Sequence, residues 1–122
     1  MFSNSHLGIV MVVVSDMDAS VKFYRDVLGI PCQYTSPDWS QLSIGGVGLG
    51  LHIQGEGLPV NSASGISFGF YVKDIEPVLA TLAERGVTPV RVTQEDFGTL
   101  AIIPDPDGYG IQICQSKYNA GD

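Results

Sequence analysis

The sequence predicts an α+β domain built from two β-α-β-β-β halves, and two observations carry that reading. The first is an order of patterns that occurs twice: a β-branched apolar run, a helical stretch, then three short strands. The second is a match at the strand-to-helix corners. Val14-Ser15-Asp16-Met17 corresponds to Val72-Lys73-Asp74-Ile75, which sets Asp16 and Asp74 58 positions apart, and Leu28-Gly29-Ile30 corresponds to Arg85-Gly86-Val87. A unit repeated only twice fits a paired-module domain better than a solenoid. The 122 residues suit one domain, 1–122, with module one at about 7–53, a connector at 54–65 and module two at about 66–115.

The run Leu7 to Val14 is short and β-branched and reads as a buried strand. Ser15 and Asp16 follow as N-cap candidates. Val21, Tyr24 and Leu28 recur at helical spacing over Ala19 to Leu28, with Phe23 and Val27 beside them, and Gly29 sits where a helix ends in a left-handed residue. Strands are expected at Cys32 to Thr35, Trp39 to Ile44 and Val47 to Ile53, the last two joined by a Gly45-Gly46 hairpin. The turn-rich connector Gln54 to Gly65 comes next. Ile66 to Val72 opens the second half. Asp74 is its cap candidate and Pro77 falls in the first helical turn, where a missing N–H costs little. Val78, Leu79 and Leu82 form the apolar stripe and Gly86 the stop. Strands are expected near Val90 to Thr93, Thr99 to Ile103 and Gly110 to Gln115.

Composition narrows the function classes. The apolar share is 44%, enough for a core, and the formal charge is -7, from six basic against thirteen acidic residues. Such a surface repels phosphate backbones and anionic lipid, so neither nucleic acid nor a membrane is an expected partner. Cys32 and Cys114 are too few for a disulfide framework and read as free thiols in a reducing compartment. The apolar run near the N-terminus lacks a basic region before it and a cleavage site after it, so it does not read as a signal peptide. It is also too short to span a bilayer. A cytoplasmic location is expected.

VVVSDMDASVKFYRDVLGI, FYVKDIEPVLATLAERGV and AIIPDPDGYGIQICQ together resemble the vicinal oxygen chelate superfamily, which groups glyoxalases, bleomycin-resistance proteins and extradiol dioxygenases. The resemblance runs from about Ile9 to Gln115. It implies a curved mixed sheet around a small-molecule cavity, with helices on the outer face, and a homodimer. Enzymes of this superfamily typically hold a divalent metal through four positions on the cavity side of the sheet. Carried over residue by residue, those positions are Ile9, then Gly50 or His52, then Ser67 and Gln112. Ile9 and Ser67 stand where histidines are expected, and Gln112 where a Glu is usual. His6 falls three residues before Ile9, on the opposite strand face. This set offers one good ligand at most, against about four for zinc. The expectation is no metal and no other cofactor, with a divalent ion weakly bound through His52 as the alternative.

Alternation assigns the faces once Gln112 is set toward the cavity. Met11, Trp39, Gln41, His52, Ser67 and Tyr71 then join it as candidate ligand-binding residues, with Gly48, Gly50 and Gly69 making room. Leu42, Ile44, Leu49, Leu51, Ile53, Phe68, Phe70, Val72, Ile111 and Ile113 belong to the helix side. His52 is the one catalytic candidate. It reads first as a hydrogen-bonded pocket residue, since the sequence names no partner acid, with a metal ligand or a general base as the alternatives. Mixed aromatic, small and polar residues on one face are what a small-molecule pocket needs. The expected function is metal-independent binding of an aromatic or amphipathic molecule, as in bleomycin-resistance proteins. The alternative is a divergent lyase or isomerase resembling glyoxalase I, acting through enediolate stabilisation.

Overall fold

The computed structural model describes residues 1–117. The elements are β1 (Ile9–Val14), α1 (Met17–Val21), a π-helical continuation (Lys22–Val27), β2 (Cys32–Thr35), β3 (Trp39–Ile44) and β4 (Val47–Ile53). Then come β5 (Phe68–Tyr71), α2 (Ile75–Glu84), β6 (Arg91–Glu95), β7 (Gly98–Pro104) and β8 (Gly110–Ser116). They fall into two compact units, Met1–Asn61 and Ser62–Asp122. Each unit holds one four-stranded mixed sheet. The strand order is β1-β4-β3-β2 in the first and β5-β8-β7-β6 in the second. In each, the outer first strand runs parallel to its neighbour and the other pairs are antiparallel. The fold is α+β, and the internal repeat is realised strand for strand.

In the first unit Asp16 caps α1, its carboxylate accepting from Ala19 N at 3.1 Å. Its helix begins at Met17, two residues before the expected Ala19, and its second half widens. Leu28 N donates to Phe23 O, five residues back, at 2.9 Å. The wider turn lets the consecutive residues Phe23 and Tyr24 both bury, ring edge against ring face at 5.0 Å. Gly29 closes the segment with φ 78°. α1 packs on β3 and β4, and Val12, Val14, Leu42, Leu49 and Leu51 are buried beneath the helical segment. Ser40 shares that face, buried, with its hydroxyl 3.2 Å from Met17 Sδ. The β3–β4 hairpin turns on Gly45 and Gly46, both at positive φ, as a two-residue turn between right-twisted strands requires.

The second unit departs further from expectation. β5 is four residues long, so Ile66 and Ser67 precede it and Val72 follows it, and β6 starts at Arg91 rather than Val90. β1 likewise starts at Ile9, leaving Leu7 exposed. Ile111 and Ile113, in the inner strand β8, are buried as expected. Phe68 and Phe70 are on the expected face but only half-buried, and so are Val72 and, in the first unit, Ile53. β5 is an edge strand, and α2 brings Ile75, Val78, Leu79 and Leu82, less apolar bulk than Met17, Val21, Phe23 and Tyr24 bring in the first unit. Ile44, at the hairpin tip, is exposed. The Asp74 carboxylate makes no cap. Gln115 Oε1 accepts from Ile75 N instead, at 2.7 Å.

Candidate functional site

The residues singled out by alternation lie on the sheet faces away from the helices, in two groups. In Met1–Asn61, three cross-strand rows can be read from the register: Ile9–Gly48–Ser43, Met11–Gly50–Gln41 and Val13–His52–Trp39. Ile9 and Met11 are about half exposed, and Trp39, Gln41 and His52 half-buried. Both long side chains of β3 lean one row along β4. The six-membered ring of Trp39 fills the place of a side chain at Gly50, because a Cβ there would lie 2.1 Å from Cη2. Gln41 Nε2 similarly covers Gly48, and it donates to Leu42 O at 3.2 Å. The imidazole of His52 stands beside the indole, ring centroids 6.0 Å apart at 75°. Its Nδ1 is 2.7 Å from the Ile53 carbonyl oxygen.

In the second unit Gly69 lies opposite Gln112, and Tyr71 opposite Cys114. Gln112 Nε2 donates to Ser67 Oγ at 2.9 Å, although Ser67 lies just outside β5. Tyr71 is exposed. Met11, Trp39, Gln41 and His52 thus share one surface, and Ser67, Tyr71 and Gln112 another. His6 precedes β1 and is exposed.

The register also relates the two groups. Met11 faces Gly50 as Gly69 faces Gln112, and Met11 and Gly69 are separated by the same offset as Asp16 and Asp74. Gly50 is therefore the repeat equivalent of Gln112, and His52 that of Cys114. Sequence spacing alone left Gly50 and His52 open. Alternation reads Gly48 and Gly50 as room for a ligand, whereas in the structure Gln41 and Trp39 fill the space over them. Among the described residues no three His, Cys, Asp or Glu side chains come together as a metal would need. No helix among them is long and apolar enough to cross a membrane.

Comparisons with known proteins agree with this architecture. Over 129 aligned residues the chain is 29% identical to a probable lactoylglutathione lyase of Vibrio parahaemolyticus, covering 94% of each chain. It is also 29% identical to a lactoylglutathione lyase of Haemophilus influenzae, covering 88% of this chain and 90% of that one. Among solved structures it superposes on a lactoylglutathione lyase from Agrobacterium tumefaciens with a TM-score of 0.79 at 19% identity, covering 95% and 97% of the two chains. It superposes on TnmS3, an antibiotic binding protein from a Streptomyces species, with a TM-score of 0.77 at 24% identity, covering 96% and 100%. These two likenesses speak to the fold. The profile of the glyoxalase/bleomycin resistance protein/dioxygenase superfamily matches residues 6–113, and the chain belongs to that superfamily.

Proposed function

We propose that this protein binds a small aromatic or amphipathic molecule against the Trp39–His52 surface of its first unit, with the Ser67–Gln112 surface of the second as a separate candidate contact, and holds no metal tightly. The observation that carries the reading is the Trp39 ring over Gly50. At the repeat equivalent of Gln112 there is no ligating side chain, and an indole occupies the space. Ile9 cannot ligate, and Ser67 and Gln112 offer a hydroxyl and an amide already bonded to each other. This donor set does not fit a divalent metal that wants imidazole, thiolate or carboxylate. Of the polar groups, Gln112 keeps its carbonyl oxygen and Ser67 its hydroxyl proton for a ligand. TnmS3, which shares the fold, is an antibiotic binding protein. By family habit the working unit is a homodimer.

The names of the curated relatives favour a second reading, a lactoylglutathione lyase type of enzyme. It needs a Lewis acid or a substitute for one, and the residues at Ile9, Gly50, Ser67 and Gln112 do not supply a site for it.

Two measurements test the choice. Elemental analysis after chelator-free purification is expected to give well under one equivalent of Zn, Ni, Fe or Mn. Titration with a panel of aromatic compounds, natural-product antibiotics included, is expected to change the emission of Trp39, the single tryptophan. Trp39→Ala should weaken a confirmed ligand more than tenfold, or about 1.4 kcal/mol. A stoichiometric metal would reverse the ranking, and a confirmed ligand indifferent to Trp39→Ala would overturn the stacking at Trp39.

A further inference from the structure

The hydrogen-bond polarity beside Trp39 is fixed by one contact. His52 Nδ1 lies 2.7 Å from the Ile53 carbonyl oxygen. A carbonyl only accepts, so Nδ1 carries the proton, and a neutral imidazole then has a bare lone pair on Nε2. Among the described residues no hydrogen bond engages that nitrogen. The ring is half-buried and edge-to-face with the indole. The neighbouring groups do not offset this polarity. Gly48 and Gly50 carry no side chain, Ile9 and Met11 are apolar, and the Gln41 amide turns one of its two N–H groups to Leu42 O. His52 also stands one row away from Gly50, the repeat equivalent of Gln112. What it offers beside the indole is an acceptor with a fixed tautomer.

Resting on the binding function proposed above, we propose that His52 Nε2 accepts a hydrogen bond from a hydroxyl or ring N–H at the edge of a planar aromatic ligand seated against Trp39. The surface then selects phenols and N–H heterocycles over their methylated counterparts. A methyl ether of the same shape buries the same rings but leaves the imidazole lone pair without a donor, and an unpaired group in a desolvated contact is costly.

The probes are 7-hydroxyflavone and 7-methoxyflavone, titrated calorimetrically and by Trp39 emission. Wild type is expected to bind the hydroxyl compound at least about tenfold tighter, or about 1.4 kcal/mol. His52→Phe keeps a flat ring and should bind both compounds with the affinity that wild type shows for the ether. Equal binding of both by wild type, with Trp39 emission perturbed, overturns the acceptor role and leaves the binding reading standing. A preference that survives in His52→Phe overturns it as well. If neither flavone binds nor perturbs Trp39, the acceptor role falls with the aromatic-ligand reading beneath it. A second measurement needs no variant. Long-range proton–nitrogen correlation should show that the neutral form of the His52 ring carries its proton at Nδ1 and is bare at Nε2. Protonation at Nε2 instead sinks the proposal.

Discussion

Two glycines that look alike in the sequence carry different demands. A Cβ at position 50 would meet the far end of the Trp39 side chain, which can swing away. At position 69 it would lie 2.4 Å from the carbonyl oxygen of Gln112, which is part of the β5–β8 ladder and cannot. Gly50→Ala is therefore expected to move the indole, shifting its emission maximum and near-ultraviolet dichroism, at a stability cost below about 1 kcal/mol, since a mobile side chain rather than the core gives way. Gly69→Ala should cost about 1–3 kcal/mol, as overpacking against backbone does. Chemical denaturation with emission spectra separates the two, and unchanged Trp39 emission in Gly50→Ala would show that the ring does not sit over that glycine. Alternation in the sequence was sufficient to put Trp39, Gln41, His52 and Gln112 on the faces they occupy. It could not tell which way a long side chain leans along its neighbour, because lean is a choice of rotamer made against the opposite strand.

The two helices show what local pattern can and cannot reveal at the scale of an element. Asp16 and Asp74 stand at equivalent corners with nearly the same backbone angles, φ -140° at both, yet only Asp16 caps its helix. At α2 the cap comes from Gln115, forty residues later in the chain on β8. No spacing rule reaches that far, so the sequence assigned the cap to Asp74. The contact also ties the helix start to the sheet. Gln115→Ala should therefore cost about 0.5–2 kcal/mol, the range for a lost N-cap, while Asp74→Ala should cost less. Thermal or denaturant melts of the two variants decide it, and a larger loss from Asp74→Ala would put the cap back at the corner. Burial follows the same logic. Leu49, Leu51, Ile111 and Ile113 were legible because inner strands are covered on that face wherever the helix lies. Phe68 and Phe70 were overcalled because the alternation that assigns a face is silent on whether the strand is at an edge.

At the scale of the whole chain, the informative quantity is charge. Thirteen acidic residues against six basic ones give a formal net charge of -7 on a small domain. An exposed ion pair joins Arg25 to Asp26, adjacent in sequence. Its hydrogen bond holds the Asp26 carboxyl below its ordinary range, so that charge persists as pH falls. The field around the protein is thus negative near neutral pH. Such a field acts on encounter rates more than on the bound state, and salt screens it over about 8 Å at physiological ionic strength. A cationic aromatic ligand should therefore associate faster than a neutral analogue of the same ring system at low salt. The advantage should shrink steadily as sodium chloride is raised, while dissociation rates change little. Stopped-flow quenching of Trp39 by a matched charged and neutral pair measures both rates. If the charged compound shows no salt-dependent advantage, the acidic surface plays no part in ligand capture, and the proposed ligand choice rests on short-range contacts at Trp39.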